Sequence, residues 1–331
     1  MTPMMLPVLD LYPQEYRRFS WRCLDTAGGM SGARIWQGID GQSPRYALKC
    51  WPRDYPVTRL LQIHRWMEHA RHTDCCSFVP RVISTLPLQT AVTMHGQVWD
   101  MTDWCAGAAT FALAPNRSKL AAMMDALARL HRAWEPKTSE LQPAPGILRR
   151  LRVLQQDLLP IDSDVLSQRA TAIVQEYRPL LLKQLAPWSE RCLLVQPCHC
   201  DPRHDHWLFD GDKLCGLIDF GSAKWDSPAI DVARCLGETA YHDTDLYRYG
   251  EECYYHSRGR RDFPESLTRL LAVATTVGAV YAWWEKRRCL QSVSLSNRDG
   301  GYPIDLSAVT QRLEVLVTRL ENSPVFREVL G

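Results

Sequence analysis

Near residue 105 the hydrophobic pattern of this chain changes period, and that change limits the folds open to it. Before it, short apolar runs at 19–24, 33–39, 45–51, 79–86, 89–94 and 98–104 read as strands. One helical stretch interrupts them at 57–71, with Leu60, Leu61, His64 and Met67 on one side. After it the spacing becomes helical. Asn116 or Ser118 caps a helix that runs to Trp134, and further helices read at 147–159, 166–185, 230–241, 265–287 and 307–322. The pattern predicts an α+β chain: a small β-rich lobe over 1–105 and a larger, mostly helical lobe over 106–331.

Composition narrows the partners. The chain has 331 residues, enough for two packed lobes, and 46% of them are hydrophobic, which argues against long disorder. Lys and Arg number 39 and Asp and Glu 37, a net charge of +2. So balanced a chain gives no electrostatic reason to expect a nucleic-acid or membrane partner. The longest apolar stretch, 270–284, is shorter than the ~20 residues a membrane-spanning helix needs. Residues 1–11 carry neither a basic region nor an apolar core of signal-peptide length. Twelve cysteines, scattered along the chain, read as reduced thiols. The expected location is cytoplasmic.

The chemistry-bearing segment runs from Cys198 to Gly221. Apolar runs at 207–209 and 214–218 flank Asp210-Gly211-Asp212, a hairpin signal. His206 and Asp219 stand at nearly equal distances from that turn, so they come close to facing each other. Asp201 lies on the loop just before the hairpin, and the three polar side chains are expected to converge at one end of it. Upstream, Gly28-Gly29-Met30-Ser31-Gly32 separates two strands, and Lys49 follows on the third. A loop of that kind lets backbone N–H groups approach phosphates closely.

His199-Cys200-Asp201, His206 and Asp219-Phe220-Gly221, in this order and spacing, resemble the signature of the aminoglycoside phosphotransferase and choline kinase-like family. Asp226-Ser227-Pro228-Ala229-Ile230-Asp231-Val232-Ala233 is similar to that family's continuation, and Ala128-Arg129-Leu130-His131 to a helix of its larger lobe. The resemblance covers most of the chain, least at 135–190 and after 255. It implies a two-lobed protein-kinase-like fold, with a nucleotide-binding first lobe and a catalytic, acceptor-binding second lobe. It also implies transfer of phosphate from ATP, with Mg2+ or Mn2+, to a hydroxyl of a small molecule: a metabolite, an amino alcohol or an aminoglycoside-like compound.

By the same resemblance, Asp201 takes the proton of the acceptor hydroxyl and Arg203 neutralises charge on the transferred group. Asp219 and His206 hold the metal. Gly28, Gly29, Ser31, Gly32 and Lys49 hold the phosphates, and the backbone around Asp103 and Cys105 reads the adenine edge. His199 orders the loop, and Asp231 caps its helix or braces the catalytic loop. Such chemistry rests on positioning and charge neutralisation.

Two departures matter. His206 stands where the family has asparagine, and an imidazole nitrogen suits manganese, zinc or iron better than magnesium. A different metal, one-metal catalysis and a nucleotide-binding pseudokinase are all open; retention of Asp201, Asp219 and Lys49 favours activity. The helix acid that pairs with the strand lysine has only Glu68 as a candidate.

Bland readings stand beside these. Cys198, His199, Cys200, His204, Asp205 and His206 offer zinc-type ligands, but an extended segment points successive side chains to opposite faces. The glycine-rich segment also reads as an ordinary turn, and His131 as a hydrogen-bonded core residue. Only six residues separate Asp219 from Asp226, too few for a polypeptide-docking segment, so a small acceptor is expected. The five acids between Glu238 and Glu252 suggest either a surface for a cationic acceptor or a solvated face.

Overall fold

The computed structural model describes residues 6–24, 32–73, 76–138, 141–157, 164–293 and 306–330. Gly28, Gly29 and Ser31 lie outside the described residues. The chain divides into two compact units, 1–114 with 205–223, and 115–204 with 224–331. Segment 205–223 follows the loop of Asp201 in sequence but packs with the first unit. The reason is local: the Leu217 N–H donates to the Phe78 carbonyl, and Ala108 and Phe209 exchange backbone hydrogen bonds.

The first unit is built on a six-stranded antiparallel sheet. Its order is Ser20–Cys23, Arg34–Asp40, Ser43–Cys50, Gln97–Asp103 and Val82–Ile83, with Ala91–Met94 also on Gln97–Asp103. The tight turn His95-Gly96 joins the last hairpin with both residues at positive φ, which matches the twist of the flanking strands. One face buries Trp36, Leu48, Trp99 and Met101, and the Trp36 and Trp99 rings stack 5.3 Å apart. Helix Val57–His72 turns Leu60, Ile63, His64, Met67 and Ala70 inward at helical spacing. The hairpin Trp207–Asp210 and Lys213–Leu217 forms where the sequence predicts it, with Gly211 at φ +58° in its turn.

The second unit is mainly helical. Arg117–Ala133, Pro145–Leu154, Val165–Leu185, Pro228–Thr239, Glu265–Val293 and Leu306–Asn322 follow the periodicity of the sequence. Asn116 caps the first of these by accepting from the Lys119 N–H at 2.8 Å. Helix Thr244–Arg258 is an addition to that reading. Asp243 caps its start, Gly259 ends it in the left-handed region, and its buried face carries three tyrosines, Tyr247, Tyr254 and Tyr255, with Leu246. Glu251, Glu252 and Arg248 interrupt the apolar period there, which hides the helix in the sequence. Among the described residues no helix is long and apolar enough to cross a membrane.

Candidate active site

The first unit holds a cavity of about 430 Å³. Leu24, Ala33, Ala47, Leu208 and Ile218 give it apolar walls, and Lys49, Asp219 and His206 give it a polar end. Lys49 reaches it from the strand Ser43–Cys50, where its register partners are Ile35 and Asp100. Its Nζ lies 3.1 Å from Asp219 Oδ1 and 4.0 Å from the centre of the Trp51 ring. Asp219 sits in the left-handed region at φ +61°, a strained setting for a residue with a side chain and one that clusters at functional sites.

His206, 5% exposed, directs Nε2 to within 3.7 Å of Asp219 Oδ2. The expected facing of these two across the hairpin is therefore present, and the Ile218 N–H donates to the His206 carbonyl beside it. At the strand end, the Asp103 and Trp104 N–H groups donate to the carbonyls of Arg81 and Arg45. Cys105 also lines the cavity, and burial pushes its thiol up to about 11, so it is neutral at physiological pH. Gly32 takes φ +65°, which favours glycine.

Glu68 faces a different hollow, lined by Val57, Leu61, Leu88 and Thr93. A buried acid that sequence reasoning missed lies on the next strand instead. Asp100 accepts from Trp51 Nε1 at 2.7 Å and pairs with His64 Nε2 at 3.1 Å. It sits in a run of buried residues, Val98 to Met101, and no sequence signal points to its partners.

Asp201 and Arg203 belong to the second unit, with a third residue that sequence reasoning missed, Arg234. Asp201 Oδ1 accepts from Arg234 Nε at 2.9 Å, and Asp201 Oδ2 lies 3.4 Å from Arg203 Nε. The loop is fixed from below by Asp231, whose two oxygens accept from the N–H groups of His199 at 2.7 Å and Cys200 at 2.6 Å. Asp231 thus braces the loop, one of the two roles expected of it. His131, fully buried, joins Asp231 at 3.0 Å and the Tyr254 hydroxyl at 2.8 Å. Burial pushes this imidazole below its ordinary pKa, so its neutral form bridges the two. Cys200 carries φ +65° just before Asp201.

Two of the zinc-type ligand candidates, Cys198 and Cys200, are buried or half-buried. Burial pushes the Cys198 and Cys200 thiols well above the ordinary range, and each sulfur lies against a backbone carbonyl. Among the described residues, His131, Cys198 and Asp231 are a close trio of ligand types, but the first and last already bind each other and the loop. Of the five acids from Glu238 to Glu252, Asp243, Asp245 and Glu252 are exposed and two are buried. Glu238 is buried among arginines, Glu251 is buried beside Thr268, and Asp243 is a helix cap.

The sequence profile of the phosphotransferase enzyme family matches residues 25–263. The chain belongs to that family. Within this phosphotransferase the profile spans every candidate residue named above. A homoserine kinase of Beijerinckia indica subsp. indica is 32% identical over 133 residues, 40% of each chain, so the match spans well under half of that relative's length. Among solved structures, the amicoumacin kinase in complex with AMP-PNP and Ca2+ aligns at a TM-score of 0.64 and 12% identity, covering 99% of this chain and 96% of that one. A spectinomycin phosphotransferase in complex with ADP and spectinomycin aligns at 0.61 and 12%, covering 96% of both. These likenesses show the fold: the α+β, protein-kinase-like architecture of aminoglycoside phosphotransferase and choline kinase-like proteins.

The cavity of the first unit fits a nucleotide with its divalent ion. Apolar walls suit a base, Lys49 suits a phosphate, and a carboxylate beside an imidazole makes a mixed oxygen–nitrogen donor set.

Proposed function

We propose that this phosphotransferase moves the terminal phosphoryl group of ATP to a hydroxyl of a small molecule. The observation that carries the reading is the first unit's cavity, apolar along its walls and ending in Lys49, Asp219 and His206. Bound nucleotide and its divalent ion would supply the phosphoryl group and neutralise most of its charge. Lys49 anchors phosphate oxygens, and Asp219 with His206 holds the ion. Gly28, Gly29, Ser31 and Gly32 are assigned to the phosphates, and the backbone at Asp103 and Cys105 to the base. Asp201 receives the proton that leaves the acceptor hydroxyl as its oxygen bonds to phosphorus, and Arg203 supplies positive charge beside it. In this assignment 1–105 serve the nucleotide and 106–331 carry the catalytic aspartate and the acceptor site.

A second reading, a nucleotide-binding pseudokinase, is favoured by one observation. His206 places a nitrogen where magnesium prefers oxygen. Thermal unfolding with ATP, alone and with Mg2+ or Mn2+, tests the nucleotide site. A ligand at about 100 times its Kd stabilises by roughly 2.7 kcal/mol, a rise of several degrees. A metal-dependent rise that disappears in Asp219→Ala is expected; no rise with any metal overturns both readings. ADP release on adding hydroxylated acceptors, lost in Asp201→Asn, separates the kinase from the pseudokinase.

A further inference from the structure

Lys49 supplies a cation to the first unit's cavity, and a lysine side chain is a flexible four-carbon stem that must be held to act at one point. Its Nζ lies against two groups of different kinds among the described residues. One is the Asp219 carboxylate at 3.1 Å, the other the Trp51 ring, whose centre is 4.0 Å away. For a phosphate the two are not equivalent. A carboxylate takes N–H donors of the ammonium, and in the reading above Asp219 also serves the divalent ion. The face of an indole attracts the charge through its quadrupole and leaves the three donors of the ammonium for phosphate oxygens.

Trp51 is held as a fixed part. It is 3% exposed, and its backbone N–H donates to the Val98 carbonyl at 2.8 Å. Its Nε1 donates to Asp100 Oδ1 at 2.7 Å, and Asp100 Oδ2 lies 3.1 Å from Nε2 of His64 on helix Val57–His72. Asp100 and His64 are both buried, where the low dielectric strengthens such contacts. The Tyr55 ring stacks on the indole, centres 4.2 Å apart and planes 27° apart. The edge of the indole packs on Gly221, where an added Cβ would lie 2.8 Å from Trp51 Cη2. The Gly221 carbonyl in turn accepts from the Tyr55 hydroxyl at 3.3 Å and from Arg59 Nη2 at 3.1 Å. The indole is thus fixed at its N–H, its face and its edge.

We propose that Trp51 is a positioning residue of the nucleotide site: its indole face holds the Lys49 ammonium for the phosphates with its donors available. The proposal rests on the nucleotide site of the kinase reading above. Glu68, the helix acid that the sequence offers as a partner for Lys49, faces another hollow. Helix Val57–His72 reaches the lysine instead through His64, Asp100 and the indole.

Equilibrium titration of the full chain with ATP and Mn2+, and separately with adenosine, tests the proposal. Trp51→Leu keeps an apolar side chain but removes the π face. It should weaken ATP binding on the order of tenfold, the scale of one desolvated cation–π contact, while adenosine binds as before. In a Lys49→Met background the same substitution should cost nothing further, because the group it positions is gone. Trp51→Phe keeps a ring without the bond to Asp100 and should lose about threefold. It carries the test if Trp51→Leu shows no cooperative unfolding transition. The proposal is overturned if both variants bind ATP as wild type does, or if the loss persists in Lys49→Met. It is overturned as well if adenosine is lost in the same proportion as ATP, as a collapse of the cavity would give. Failure of the wild type to bind ATP with either Mn2+ or Mg2+ would overturn the kinase reading itself, and this proposal with it.

Discussion

In the proposed reading, His206 is the residue on which the choice of metal turns. Its buried imidazole lines the cavity 3.7 Å from Asp219, where Lys49 pairs with the same carboxylate. Replacing it with asparagine exchanges a nitrogen donor for an oxygen. His206→Asn is therefore expected to shift nucleotide-dependent stabilisation from Mn2+ toward Mg2+, read as the ratio of melting-temperature rises with the two ions. An unchanged ratio would remove His206 from the metal site. Asp231 is the second residue with a large expected effect. Asp231→Ala leaves the His199 and Cys200 N–H groups without acceptors in a buried setting, at about 1–3 kcal/mol each. Urea unfolding should show a loss of a few kcal/mol, with phosphotransfer activity falling alongside.

Elements form here for reasons of capping and close approach. Asn116 starts helix Arg117–Ala133, and Asn116→Ala should cost about 1 kcal/mol of stability, measured by denaturant midpoint at constant m-value. At Gly107, φ is +92° and an added Cβ would lie 2.7 Å from the Phe209 carbonyl oxygen. That carbonyl belongs to the hairpin carrying His206 and Asp219, so the strand end and the hairpin are held together only if no side chain intervenes. Gly107→Ala should destabilise by about 1–3 kcal/mol and weaken ATP binding with it. Helix Thr244–Arg258 forms although its sequence looks like an acidic run, with Leu246, Tyr247, Tyr254 and Tyr255 on its buried face.

For the molecule as a whole, Glu251 gives stability a distinctive dependence on pH. Burial pushes its carboxyl up to about 7 from 4.5, against the opposing hydrogen bond from Thr268 and the charge of Arg269. Between those values the folded chain holds a proton that the unfolded chain releases. The contribution is full below pH 4.5 and is lost as pH rises through 7, at about 3 kcal/mol in all. Glu251→Gln keeps a neutral side chain at every pH, so its melting temperature relative to wild type should climb from pH 5 to pH 8. A constant difference would contradict the raised pKa.

Much of this was determined by the sequence alone. The change of period near residue 105, the hairpin around Asp210-Gly211-Asp212 and the spacing of Asp201, His206 and Asp219 carried the α+β architecture and the family. Those features are local, and backbone periodicity and turn chemistry act over a few residues. Only tertiary structure decided which charges meet. Lys49 finds Asp219 across 170 residues, and His131 finds Asp231 across 100. Arg312 and Arg319 come from a late helix to enclose Glu238, so that one acid of an apparent acidic surface lies buried among arginines. A charge in sequence states only its sign; its environment is set by whatever the fold brings within a few ångströms, where the low dielectric makes each neighbour count.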